Sequence, residues 1–117
     1  MIIGIGTRRG ITKEEVIEAI KQALDESDLS LEEITALASA KLKENEQGLL
    51  EAGKILGIPV DFLPDETLNS YNPPSASKAS RFGLKGVAEP AALALSEKKQ
   101  LICRKKIYGR VTIAIAR

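Results

Sequence analysis

The run near the end of the chain, residues 111–116, reads VTIAIA. In an extended backbone Val111, Ile113 and Ile115 point one way and Thr112, Ala114 and Ala116 the other. Neither side carries a charge. A strand at a solvated sheet surface alternates apolar with polar residues, whereas a strand apolar on both sides is covered on both. This one segment therefore demands a layer above it and a layer below. Its alanines leave room for a closely packed helix.

The rest of the chain supplies those layers. Residues 1–5 read as a buried strand. Thr12 and Glu15 have the spacing of a capping box, and behind them Val16, Ala19, Ile20, Ala23 and Leu24 form one apolar helix face. Ser30 opens a very short helical turn. Residues 34–39 read as a second strand. Asn45 is a plausible N-cap for a helix that buries Leu49, Ala52, Gly53 and Leu56 and stops at Gly57. Residues 59–63 form a short strand and 64–68 one helical turn. The stretch SYNPPSAS reads as loop, with Ser75 capping a short helix through Phe82. A further helix opens at 86–90, where Pro90 is tolerated in the first turn. Residues 100–104 and 110–116 form a final hairpin joined through KKIYG. Helices alternating with strands predict one α/β domain over 1–117. It is a three-layer α/β/α arrangement with a mixed, roughly five-stranded sheet, the hairpin providing the antiparallel part.

Composition excludes several classes of function. A net charge of +1 provides no broad attraction for nucleic acid or anionic lipid. Two Tyr, two Phe and no Trp make no stacking platform for bases. No histidine is present, which removes the commonest general base and metal ligand. The single cysteine, Cys103, forms no internal disulfide or multi-cysteine zinc site, and reads as core packing. Tyr71 and Tyr108 read as loop residues. No apolar run approaches a membrane span, and the start of the chain does not read as a signal peptide. A cytoplasmic protein without a metal or other cofactor is expected, with neither nucleic acid nor membrane as partner.

Three segments carry candidate chemistry. In GIGTRRG, residues 4–10, Gly4, Gly6 and Gly10 let the backbone approach a ligand, and Arg8 and Arg9 fork onto carboxylate or phosphate oxygens. A dinucleotide fingerprint needs glycine where Arg9 stands. The competing reading is a tight turn with two solvated arginines. In SAKLKENEQGL, residues 39–49, continued extension would point Lys41 and Lys43 the same way. Glu46 falls in a first helical turn, where the helix dipole favours its charge. A Lys43–Glu46 pair could position or deprotonate water, while a solvated charged face is the plainer alternative. In residues 75–93, Ser75, Ser77, Lys78 and Arg81 precede Gly86. The N–H groups near Val87 and Ala88 form a second possible anion site. Glu89 is either a cap or a carboxylate at the mouth of a site. All three segments fall near carboxyl ends of strands or starts of helices, where open α/β sheets collect ligands. The expected ligand is an anion with several negative groups.

GIGTRRG, SAKLKENEQGLLEAGKILGIPVDF and GVAEPAAL, closed by VTIAIAR, together resemble the CbiG C-terminal/CobE family of cobalamin biosynthesis over nearly the whole chain. Thr7 stands where the family pattern has cysteine. The resemblance implies a three-layer α/β/α fold and the activity of a cobalt-precorrin-5A hydrolase, or of its C-terminal domain. That enzyme opens the corrinoid δ-lactone and releases acetaldehyde. The resemblance also implies a cobalt-precorrin or precorrin intermediate as partner, with other cobalamin-biosynthesis proteins or an N-terminal CbiG region as further partners. A non-catalytic tetrapyrrole carrier and a nucleotide-binding domain are the alternatives. On this reading Arg8, Arg9, Lys43, Lys78 and Arg81 hold ring carboxylates, and Gly4, Gly6 and Gly86 admit the macrocycle. Glu46 or Glu89 is the base. Lys43 and the N–H groups at 86–88 face the developing oxyanion.

Overall fold

A computed structural model of the chain describes residues 1–71 and 87–117. It contains five strands: β1 (Ile2–Thr7), β2 (Ala36–Ala40), β3 (Val60–Leu63), β4 (Leu101–Tyr108) and β5 (Val111–Ala116). Among the described residues four α-helices accompany them: α1 (Lys13–Glu26), α2 (Gln47–Leu56), α3 (Asp65–Asn69) and α4 (Ala88–Leu95). The strands form one mixed sheet in the order β3-β2-β1-β5-β4. β1, β2 and β3 run parallel, while β5 is antiparallel to both β1 and β4.

The sheet's two faces bury different residues. On one, Ile3, Ile5, Leu37, Val111, Ile113 and Ile115 pack against Val16, Ile20, Leu24 and Leu49 of α1 and α2. On the other, Ile2, Ala36, Ala38, Ala40 and Ala116 meet Leu68 of α3 and Ala91 and Ala92 of α4. The first face holds most of the large aliphatic side chains, each contributing about 1.5–3 kcal/mol when fully buried. The second relies on close approach. A Cβ built on Gly4 would lie 1.8 Å from the Ala88 carbonyl oxygen and 2.7 Å from the Ala92 nitrogen. Gly4 thus lets α4 lie directly on the backbone of β1.

Several predicted elements appear as expected. The Thr12–Glu15 capping box forms, with Thr12 Oγ1 accepting from the Glu15 N–H at 3.1 Å. Glu15 Oε2 accepts from the Thr12 N–H at 2.9 Å. All five predicted α1 core residues are buried. Gly57 ends α2 in the left-handed conformation. β5 is buried on both faces except at Thr112.

Other elements differ. β1 continues past the expected end at Ile5 to Thr7, so Gly6, like Gly4, is a strand residue. Residues 41–43 form a 3-10 turn, which ends the extended alternation expected for Lys41 and Lys43. Glu46, not Asn45, is the N-cap of α2, and it makes no side-chain bond to its own helix. The final hairpin is tighter than expected. β4 extends through Lys105, Lys106 and Ile107 to Tyr108, which is a strand residue and not a loop residue. The KKIY sequence reads as a turn because it is charged, yet charge is normal on a sheet-edge strand, where it discourages pairing with other chains. Cys103 is half-buried at that edge, with Sγ 2.9 Å from Ser27 Oγ. The expected helix at 75–82 lies outside the described residues.

The contacts at the two strand glycines predict opposite outcomes. Gly4→Ala forces α4 away from β1 and lowers stability by about 1–3 kcal/mol or more. At Gly6 an added Cβ meets Val87 Cβ at 3.7 Å, an ordinary contact, so Gly6→Ala melts close to the parent. Thermal melts of both variants check this.

Candidate functional site

Backbone pairing between β1 and β2 stops short of their carboxyl ends. The β1–β2 ladder runs only to Gly4 opposite Ala38, while β1 pairs with β5 as far as Thr7 opposite Val111. Beyond the short ladder, buried Ser39 donates its hydroxyl to the Ile5 carbonyl at 2.7 Å. β1 then leads into Arg8-Arg9-Gly10 and β2 into the turn at Lys41–Lys43. Ends of neighbouring parallel strands are where such sheets admit ligands.

The loop after β1 is held from three directions. Gly10, with φ +78°, adopts a conformation that suits glycine. Its N–H donates to both Glu46 oxygens, at 3.1 and 3.2 Å. Its carbonyl accepts from Arg110 Nη2 at 3.5 Å. The Arg110 carbonyl in turn accepts from the Arg8 N–H at 3.2 Å. Arg110 itself is forked onto Glu15, Nε to Oε1 at 2.8 Å and Nη2 to Oε2 at 2.6 Å. The Arg110 hydrogen bond, followed by the Thr12 N–H, lowers the Glu15 pKa to about 2. Arg110 is correspondingly raised, chiefly by its hydrogen bond to Glu15.

Lys43 joins this group electrostatically. Partial burial holds its ammonium below the usual lysine range; Glu46 opposes that shift and Arg9 adds to it. Arg9, Lys43 and Glu46 therefore share one electrostatic neighbourhood. Arg8, Arg9 and Lys41 are exposed, while Lys43 and Glu46 are half-buried. The start of α2 is brought in by Gly48, where an added Cβ would lie 2.2 Å from the Ile11 carbonyl oxygen. The group can bind an anion through its cations, and it presents one carboxylate beside them.

Of the third predicted segment, residues 87–93 fall among the described residues. Glu89, 1 % exposed, belongs to α4 on the opposite face of the sheet from α1 and α2. Its Oε2 accepts from the Lys105 N–H at 3.0 Å. That bond falls where the β4–β5 register shifts between Cys103 and Lys106. Glu89 thus holds an irregular edge strand against the helix below it. Ala88 is buried and its carbonyl packs over Gly4, while Val87, half-buried, lies over Gly6. The structure brings Arg8, Arg9, Gly10, Lys43 and Glu46 to one end of the sheet. It does not bring Glu89 to them. Ser75, Ser77, Lys78, Arg81 and Gly86 lie outside the described residues.

Sequence reasoning missed Arg110 as a member of this end of the sheet, and assigned Glu15 only to a cap. Their partnership spans 95 positions in the chain, so local spacing held no signal for it. Among the described residues no group of three or more His, Cys, Asp or Glu side chains is placed to hold a metal ion. No helix there is long and apolar enough to cross a membrane.

Residues 1–116 match the family described as cobalamin synthesis G C-terminus. The cobalt-precorrin-5A hydrolase of Priestia megaterium is 35 % identical over 118 residues, covering 99 % of this chain and 32 % of that protein. A probable cobalt-precorrin-5A hydrolase of Methanocaldococcus jannaschii is 30 % identical, covering 97 % of this chain and 39 % of its own length. Among solved structures, CobE, a protein from the cobalamin (vitamin B12) biosynthetic pathway, superposes with a TM-score of 0.86 at 38 % identity. That match covers 97 % of this chain and 86 % of CobE. The chain thus spans about a third of the length of the curated hydrolases it matches and most of CobE.

Two of the carboxylates make measurable predictions. Because Glu15 is depressed in the folded state, from 4.5 to about 2, its contribution is complete above pH 4.5 and is lost as pH falls towards 2. Glu15→Gln therefore flattens the acid limb of a melting-temperature profile between those values. Glu89→Leu leaves the Lys105 N–H without its acceptor and costs about 1–3 kcal/mol in a urea unfolding experiment.

Proposed function

The chain belongs to the cobalamin synthesis G C-terminus family, and from that premise we propose that it acts in cobalamin biosynthesis on a polycarboxylated corrinoid intermediate. The proposed reaction is that of a cobalt-precorrin-5A hydrolase, with this chain corresponding to the C-terminal part of such an enzyme. An N-terminal CbiG-type region and other proteins of the pathway are its proposed partners. The observation that carries the reading is the cluster of Arg9, Lys43 and Glu46 beside a pinned Gly10. It lies at the carboxyl ends of two parallel strands, past the end of their ladder.

Each residue has a proposed task. Arg8 and Arg9 hold ring carboxylates by charge-assisted hydrogen bonds. Lys43, partly desolvated, faces the lactone carbonyl, where a cation is worth more than it is in bulk water. Glu46 draws a proton from the water that adds to that carbonyl, and Lys43 meets the oxyanion that forms. The ring C–O bond then breaks, its oxygen takes up a proton, and a carboxylate remains. The freed hydroxyl then gives up its proton as its C–O becomes C=O. The C–C bond joining that carbon to the macrocycle breaks with its electron pair left on the ring, where a proton is taken up, and the two-carbon fragment leaves as acetaldehyde. The Gly10 N–H fixes where the Glu46 carboxylate stands. Glu89, enclosed between α4 and β4, is left out of the chemistry.

A second reading is favoured by one observation. The chain matches CobE over 86 % of that protein's length, but the hydrolases over only about a third. On this reading the same cations bind the intermediate and pass it on, and Glu46 only shapes the loop.

Acetaldehyde release from cobalt-precorrin-5A distinguishes the two. For the hydrolase, Glu46→Gln lowers the rate by about 100-fold or more, while Arg9→Ala and Lys43→Ala weaken binding. Full release by Glu46→Gln overturns its role as base. Tight binding with no acetaldehyde establishes the carrier.

A further inference from the structure

Among the described residues, Thr7 Oγ1 is the buried side-chain oxygen left without a hydrogen-bond partner. Other buried hydroxyls are treated differently: Ser39 gives its hydroxyl to the Ile5 carbonyl, and Ser96 gives its own to the Leu93 carbonyl. An unpaired buried hydroxyl destabilises a fold, and valine would fill the same space without that penalty and with at least as strong a preference for a strand.

Its position is informative. Thr7 is the last residue of β1, opposite Val111 and directly before Arg8. It lies past the point where the β1–β2 ladder stops. Alternation along the strand places its side chain on the face of Ile3 and Ile5, the face covered by α1 and α2. That is also the side on which Glu46, at the start of α2, reaches Gly10. Arg9 and Lys43 in the same neighbourhood bear donors only, so a molecule seated there presents oxygen acceptors.

We infer that Thr7, a residue only half-buried although its Oγ1 is enclosed, is a ligand-contacting residue: rotation about χ1 brings its hydroxyl out to donate to a carboxylate or lactone carbonyl oxygen of the bound molecule. This rests on the reading that an anionic, oxygen-rich ligand occupies this end of the sheet. The partner missing from the fold is then supplied by the ligand, and Thr7 trades stability for recognition.

The experiment compares the full chain with Thr7→Val and Thr7→Ser. Melting temperatures are measured without ligand. Affinity is measured by absorbance titration with dicyanocobyrinic acid, a stable polycarboxylated corrin. Thr7→Val is expected to melt at or above the parent temperature and to bind about ten-fold more weakly. Thr7→Ser keeps the donor and binds close to the parent. Parent-like affinity in Thr7→Val overturns the inference. So does a lower melting point with unchanged affinity, which would mean the hydroxyl has a partner inside the fold. If the parent chain itself does not bind the corrin, the functional reading fails first and Thr7 falls with it. That outcome is distinct because all three proteins then behave alike.

Discussion

The burial of β1 and β5 on both faces governs this molecule. Two adjacent strands with no charge on either side require a helical layer above and another below. Between those layers there is no place for a solvated cation or an ionised carboxylate without a partner, because removing a charge from water costs several kcal/mol or more. Charged chemistry is therefore expelled to the strand ends. The close contact at Gly4 completes the constraint. It seats α4 on the backbone of β1.

At that end the charges divide their work. Glu46, Glu15 and Arg110 are engaged with the loop, fixing Gly10 from both its N–H and its carbonyl. Arg8 and Arg9 project into solvent from a backbone those groups have already ordered. A ligand meeting them encounters less conformational entropy to suppress than on a free loop. Lys43 adds a cation whose hydration is incomplete before any ligand arrives. Glu89 shows the contrasting use of a carboxylate. Fully enclosed, it stabilises an edge strand through a backbone N–H.

Much of the fold was legible along the chain. The α1 face, the capping box, the left-handed stop at Gly57 and the doubly covered final strand all arise from local spacing, and all appear where expected. The errors were also local in origin. A charged run in β4 was taken for a turn because edge strands carry charge for reasons of pairing that no window reveals. Gly6 and Thr7 were left out of the first strand, Gly6 because glycine is a poor strand former. At Gly4 the determining fact is a helix 84 positions away along the chain, whose carbonyl occupies the space of a side chain.

The candidate site was legible only in part. Arg8, Arg9, Lys43 and Glu46 were identifiable as charges at strand ends and helix starts, and family resemblance was carried by motifs in order. Their roles were not identifiable, nor was the separation of Glu46 from Glu89. By itself the sequence determined the layers, the types of most elements and the family, because apolar periodicity and capping act over a few residues. Tertiary structure alone decided which carboxylate stands beside the cations, that Arg110 locks the loop, and that the Thr7 hydroxyl is left unpaired. Hydrogen bonds and desolvation depend on distances between residues that are far apart in the chain, and only the folded sheet sets those distances.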